Sequence, residues 1–322
     1  MTQGTSTGRD EPSYHQPVLT SEVVEVFKPL TSGVVVDATF GGGGHTRRLL
    51  EQMAEGIRIV GIDRDPDAVA NAAPIREATG RLTMLTGNFA AIGELLETEG
   101  VAAPVGFLFD LGVSSHQFDR AERGFSYRHD GPLDMRMGPD ATITADDVVN
   151  RYSRDELASI IRRFGEDKVA GRIADAIVAA RPIASTGHLA RVVADATPAA
   201  LRRRGHPARR TFQAIRIVVN EELTALSRGL DEALALLAPR GRGAVISYHS
   251  LEDRIVKRRF AAGARGCTCP PDLPVCACGG GRELRLLTRQ AIEPSAEEVA
   301  ANPRARSARL RAVEKAAEES DS

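Results

Sequence analysis

Val34-Val35-Val36-Asp37-Ala38-Thr39-Phe40 runs directly into Gly41-Gly42-Gly43-Gly44-His45, and no other stretch restricts the fold as strongly. A β-branched run closed by an acid reads as a buried parallel strand. The glycines after it form a tight turn in which the backbone approaches a ligand that any Cβ would block. Thr46-Arg47-Arg48-Leu49-Leu50 then continues as a helix whose N-terminus faces that ligand. The strand before and the helix after argue against a surface turn with no ligand.

The same pattern repeats. Ile57-Arg58-Ile59-Val60-Gly61-Ile62-Asp63 and Val105-Gly106-Phe107-Leu108-Phe109-Asp110 are further strands ending on acids, with Leu82-Thr83-Met84-Leu85-Thr86 between them. Helical segments separate these strands, so the class is α/β, a doubly wound sheet that binds ligands beyond the carboxyl ends of its strands. Asp37, Asp63 and Asp110 converge on that edge. An acid at the end of the second strand is placed to accept hydrogen bonds from both ribose hydroxyls of an adenosyl group. Phe89, after the third strand, reads either as an adenine sandwich or as simple core.

Spacing narrows the cofactor. Counted from Gly41 or Gly42, the third glycine of the dinucleotide pattern G-x-G-x-x-G falls on Thr46 or Arg47, so that fingerprint fails and a nicotinamide oxidoreductase is disfavoured. Asp37 followed by Gly41 and Gly43 instead resembles motif I of the S-adenosylmethionine-dependent methyltransferases, with Thr39 where that motif often has its first glycine.

The chain of 322 residues has room for one large domain with an insertion. From about Phe118 the strand signal disappears for roughly 80 residues, too long for a loop between adjacent strands. Amphipathic helices are expected over 153–164, 169–180 and 188–194. The expected organisation is a polar, disordered leader at 1–13, a discontinuous main domain at 14–120 and 208–313, an inserted helical substrate-recognition domain at 121–207, and a flexible tail at 314–322. Phe212, Ile215, Val219, Leu223, Leu226, Leu230, Leu234 and Leu237 recur in steps of three and four, which predicts one long core helix stopped by Pro239. That helix, or the insertion, would also offer a surface for a homodimer.

Net charge is −1, so a nucleic-acid partner must be held by a local basic surface. Residues 196–220 contain six arginines, Arg202, Arg203, Arg204, Arg209, Arg210 and Arg216, and no acid, which makes them candidates for phosphate contacts. No apolar run approaches the ~20 residues of a membrane span, and the polar start is unlike a signal peptide, so a cytoplasmic location without membrane association is expected. Cys267, Cys269, Cys276 and Cys278 form two C-x-C pairs, open to reading as a four-thiolate zinc site or as reduced surface thiols. His249, at the end of the strand Gly243-Ala244-Val245-Ile246-Ser247-Tyr248, is either a hydrogen-bonded residue fixing the turn or a substrate contact.

Eight segments in order carry a closer resemblance: Asp37–Thr46, Ile62-Asp63-Arg64-Asp65, Leu111-Gly112-Val113-Ser114-Ser115, Glu122-Arg123-Gly124-Phe125-Ser126, Gly131-Pro132-Leu133-Asp134-Met135-Arg136-Met137, Thr211-Phe212-Gln213-Ala214-Ile215-Arg216, His249-Ser250-Leu251-Glu252-Asp253-Arg254 and Asn302-Pro303-Arg304-Ala305-Arg306-Ser307. Together they resemble the bacterial 16S ribosomal RNA cytosine-N4 methyltransferase family, RsmH or MraW, over nearly the whole chain. The resemblance implies a Rossmann-like class I methyltransferase with an inserted helical domain, S-adenosylmethionine as cofactor, and 16S rRNA or the small ribosomal subunit as partner; no metal is expected at the catalytic site. It implies methylation of a cytosine N4 in the decoding centre. Carried over by position, the cofactor contacts are Gly43, Gly44, His45, Asp63, Phe89, Asp110 and Gln117.

The chemistry adds catalytic candidates. A cytosine amino group is a poor nucleophile that must be aligned and hydrogen-bonded as charge develops on nitrogen, for which Asp110 is the first candidate and Asp134 the second. Asp134 alternatively braces Arg136. Phe125 or Tyr127 is placed to stack on a cytosine swung out of its helix. The rival of a different class is an RNA-binding ribosome-assembly factor that keeps the pocket without turnover; within enzymes it is an amino-methyltransferase on another substrate.

Overall fold

Seven strands form one sheet in the order β3-β2-β1-β4-β5-β7-β6. The computed structural model describes residues 17–203, 205–266 and 281–317. The strands are β1 (Ser32–Asp37), β2 (Gly56–Asp63), β3 (Leu82–Thr86), β4 (Gly106–Asp110), β5 (Arg242–Ser247), β6 (Leu284–Leu286) and β7 (Arg309–Lys315). The first five pair in parallel, whereas β7 is antiparallel to both β5 and β6. This is the Rossmann-like class I methyltransferase order, with β1 and β4 adjacent at the point where the winding reverses.

Helices α1 (Thr20–Phe27), α2 (Gly44–Gln52), α3 (Pro66–Asn71), α4 (Ala73–Thr79) and α5 (Ile92–Thr98) alternate with the first strands. Successive strand residues point to opposite faces, and both faces are covered, which is why these strands read as unbroken apolar runs. Val35, Leu108 and Ile246 meet Val23 and Phe27 of α1 and Leu49 of α2. Val36, Phe107, Phe109 and Val245 face the other way, against Ile92 and Leu96 of α5.

The insertion has a separate core. It follows α6 (Ser115–Asp119) and contains α7 (Ala145–Arg151), α8 (Arg154–Phe164), α9 (Ala170–Ala179), α10 (Thr186–Ala196) and α11 (Ala199–Arg202), with α12 (Ala208–Asn220) completing the cluster. Val148, Leu157, Ile161, Ile173, Leu189 and Val193 are buried with Phe212, Ile215 and Val219 of α12. The expected restart of the main domain at residue 208 is therefore early, because α12 packs in the insertion.

The single long helix is also corrected. Glu221 adopts a left-handed conformation (φ 51°) that separates α12 from α13 (Glu222–Leu236). Leu226, Leu230 and Leu234 of α13 lie in the main core beside Val256 and Phe260 of α14 (Ser250–Ala264). That stripe is buried within the chain's own cores. The last helix is α15 (Ala296–Ala301). Glu314 and Lys315, expected in the flexible tail, belong to β7, where Glu314 pairs with Arg242 at 3.0 Å and Arg285 at 2.8 Å. The leader, Arg204 and the four cysteines lie outside the described residues, as does most of the tail. No helix among the described residues is long and apolar enough to cross a membrane.

Candidate active site

The three acids at the strand ends take different parts. Asp37 is fully buried, accepts the Thr46 hydroxyl at 2.7 Å, and so ties the end of β1 to α2. Burial raises its carboxyl above the ordinary range, partly offset by the Thr46 bond and by His45. Asp63 is half-buried and accepts the backbone N–H of Gly41 at 2.7 Å and of Asp65 at 2.9 Å. Each oxygen thus keeps a second lone pair. Burial pushes the Asp63 carboxyl up to about 6 against the pull of those two bonds.

Asp110 is held from three sides. Its N–H donates to the Thr39 hydroxyl at 2.6 Å, which explains why threonine stands in that motif position. Its Oδ1 accepts the Tyr248 hydroxyl at 2.9 Å. Its Oδ2 lies 3.4 Å from His45 Nε2, near enough for charge attraction but not aligned as a hydrogen bond. His45 is buried; desolvation opposes its charged form, but Asp110 and Asp37 outweigh this and hold its pKa above the ordinary value. Tyr248, which follows β5, is not among the residues that the sequence singles out. Its only signal is its place beside the end of β4, visible once β5 is known to neighbour β4.

The glycine turn is shaped by several contacts. At Gly43 (φ 70°) a Cβ would meet Phe40 at 2.6 Å and Ile75 at 2.7 Å, so internal packing excludes a side chain there. A Cβ at Gly44 would press on Pro17 at 3.2 Å. Gly41 (φ 54°) is the open position, with nothing nearer than 3.7 Å. The N-terminus of α2 has no side-chain cap.

Other candidates have their polar or apolar capacity already engaged. Gln117 is buried; its amide donates to Asp65 at 2.7 Å and accepts from the Ser114 N–H at 3.1 Å. Arg123 also reaches Asp65 at 2.9 Å. Burial would raise Asp65, but the Arg123 and Gln117 bonds hold it below its ordinary range. Phe89 is half-buried and meets Phe109 edge-on at 5.4 Å, with Gly229 of α13 close behind it. Its core reading is the observed one on that side.

Asp134 grips Arg136 through bonds of 2.9 and 2.7 Å, which is the bracing arrangement. Phe125 is buried in the insertion core, which removes it as a stacking platform. Tyr127 already stacks on His206, with ring centres 4.4 Å apart.

The arginine cluster divides. Arg202 donates to the Thr197 carbonyl at 2.7 Å near the end of α10, and Arg210 donates to the Glu166 carbonyl at 3.2 Å. Arg216 forms a largely buried two-bond pair with Glu222, at 2.7 and 2.8 Å, so it is not a phosphate contact. Arg203 and Arg209 are exposed. His249 caps α14, accepting the Glu252 N–H at 3.3 Å while the Glu252 carboxylate accepts the His249 N–H at 3.2 Å. This matches its turn-fixing reading. Glu222, His249 and Glu252 bring potential metal-ligand atoms within 4.8 Å of one another, but Arg216 already supplies the countercharge.

Known proteins that resemble the chain point to one family. A model of the MraW methylase family matches residues 12–316. A ribosomal RNA small subunit methyltransferase H from Heliobacterium modesticaldum is 50% identical over 308 residues, covering 94% of this chain and 98% of that one. The protein of the same name from Geobacter sulfurreducens is 51% identical, with 94% and 98% covered. A solved rRNA methylase from Streptococcus thermophilus overlays with a TM-score of 0.40 at 10% identity, covering 92% of this chain and 93% of that one, too distant to bear on the site. A family match across almost the full length, joined to relatives sharing half their residues with it, means that the chain belongs to the MraW methylase family.

Proposed function

We propose that this chain methylates the exocyclic N4 of a cytosine in the decoding centre of 16S rRNA. The observation that carries the reading is Asp110, oriented by the Tyr248 hydroxyl at 2.9 Å and standing beside the glycine turn at the binding edge of the sheet. The cofactor of this methylase family is S-adenosylmethionine, and two features of the molecule fit it. Asp63 keeps free lone pairs for ribose hydroxyls at the end of β2. Both ring nitrogens of His45 are buried without a hydrogen-bond partner. Gly43, Gly44 and the open face of Gly41 would lie along it. When bound, it supplies an electrophilic methyl group.

The residues of the chain supply alignment and charge. A cytosine amino nitrogen shares its lone pair with the ring, so attack requires that its hydrogens be held by an acceptor while positive charge builds. Asp110 is that acceptor. Its bond from Tyr248 fixes one oxygen, and the other faces the cleft side occupied by His45. After transfer the nitrogen sheds one proton, to Asp110 or to water through it. The base must leave its stack to reach this edge, since the amino group is closed off while paired. Asp134, spent on Arg136, is a brace for the insertion loop in this reading.

The test is incubation with labelled S-adenosylmethionine and small ribosomal subunits lacking the modification, followed by nucleoside mass analysis, with Asp110→Ala alongside. N4-methylcytidine formed by the unaltered protein alone is the expected result. Cofactor binding without transfer to any subunit preparation would favour the non-catalytic assembly factor instead.

A further inference from the structure

A second basic feature is built from residues outside the arginine cluster of 196–220. An open recess of ≈ 410 Å3 is lined by Lys257 of α14, Arg289 and Glu293 of the segment before α15, and Arg309 and Arg311 of β7. Ile292 bridges Leu310, which holds that segment against β7. Four cations thus share one recess with Glu293, and among the described residues the only other carboxylate engaging them is Asp253 on the first turn of α14.

The arginines are fixed before any ligand arrives. Asp253 accepts Arg311 Nε at 2.7 Å and Arg311 Nη2 at 3.3 Å, and it also holds Arg309 at 3.5 Å. Glu293 lies 3.4 Å from Arg309. Burial works against the Asp253 carboxylate, but Arg311 and Arg309 hold it charged. Lys257 and Arg289 are exposed and have no ion-pair partner among the described residues. Counting both acids, two positive charges remain uncompensated, on side chains that line one space. Fixed guanidinium forks with spare N–H groups match a phosphate oxygen pair.

We propose that this recess is a phosphate subsite that grips the RNA backbone beside the methylated nucleotide. The proposal rests on the reading of the neighbouring site as an RNA methyltransferase. Its position supports it: Arg309 pairs in register with Ser247, the residue before Tyr248, and β7 lies two strands from β4, where Asp110 ends the strand. Two strand spacings are about 10 Å, on the order of three nucleotides at the rise of a stacked strand. A strand whose cytosine enters the Asp110 site therefore passes its neighbouring phosphates across this wall.

The experiment measures binding of unmodified 16S rRNA across a range of potassium chloride, for the full chain and for Lys257→Ala with Arg289→Ala. On a single strand, every phosphate left without its protein cation lowers the slope of log affinity against log salt by about 0.7, so the double variant is expected to fall short by about 1.4. The charge-keeping pair Lys257→Arg with Arg289→Lys retains the slope, and S-adenosylmethionine affinity is unchanged in both, which reports an intact fold. An unchanged slope in the alanine pair, with methylation of subunits intact, overturns the subsite and leaves the methyltransferase reading standing. An unaltered protein that neither binds this RNA nor methylates subunits overturns both. Loss of binding to phosphatidylserine vesicles with no change toward RNA would assign the recess to a membrane surface and equally overturn the proposal.

Discussion

Asp63 gives cofactor binding a pH dependence that can be calculated. In the proposed function its carboxylate accepts hydrogen bonds from ribose hydroxyls, and burial pushes its pKa up to about 6 in the ligand-free protein. The ionised form is therefore the binding form, and it is lost as pH falls through that value. One unit below, about one molecule in eleven remains ionised, so the apparent Kd for S-adenosylmethionine rises about tenfold between neutral pH and pH 5. Above about pH 7 the affinity is flat with respect to this group. Asp63→Asn removes the titration. It also turns an amide N–H2 or a weakened acceptor toward the Gly41 N–H, costing about 1–3 kcal/mol of binding at every pH. Equilibrium dialysis of labelled cofactor against both proteins measures the two profiles. A wild-type profile that stays flat down to pH 5 would refute the reasoning. So would an unchanged inflection in Asp63→Asn, which would transfer the titration to His45 or another group.

Removing the Tyr248 hydroxyl with Tyr248→Phe frees the Asp110 rotamer. The expected loss in kcat/KM is about tenfold, near the lower end for a hydrogen bond to a charged group, with S-adenosylmethionine retained; an unaltered rate constant would separate Tyr248 from the chemistry. Arg216→Ala leaves Glu222 without its partner in a largely buried place and should lower unfolding free energy by about 3–5 kcal/mol in denaturant titration. A loss under about 1 kcal/mol would mean the pair is solvated in solution. Phe125→Ala is expected to cost about 3–5 kcal/mol of stability because its ring lies in the insertion core. A selective rise in KM for RNA at undiminished stability would restore its stacking role.

The sheet and its three acids are legible in the sequence because β1, β2 and β4 are apolar strands covered on both faces and each ends on a single acid at the same edge. That pattern survives in one dimension. The break at Glu221 does not, since the three-and-four spacing from Ile215 and Val219 to Leu223 and Leu226 runs on unchanged while the backbone reverses its handedness. Two helices with one apparent stripe read as one, which puts α12 in the wrong core. Arg216 and Phe125 mislead for a related reason. A charge run and an aromatic beside a glycine carry no record of which partner folds onto them, and Glu222 and the insertion core decide the matter only in three dimensions. The Asp110–Tyr248 bond spans 138 residues and depends on strand order, which spacing within either segment cannot reveal.

Leu19, the residue before α1, donates its N–H to the Glu298 side chain, 279 residues later in the chain, and Arg242 reaches back to the Val26 carbonyl. Pro17, at the start of the same segment, rests on Gly44 of the cofactor turn. The cover of the turn is thus anchored by a segment that follows it at a separation of 279 residues. During translation the first four strands and the glycine turn emerge well before the segment that secures their lid. A chain made only as far as the first four strands has the turn without its finished cover.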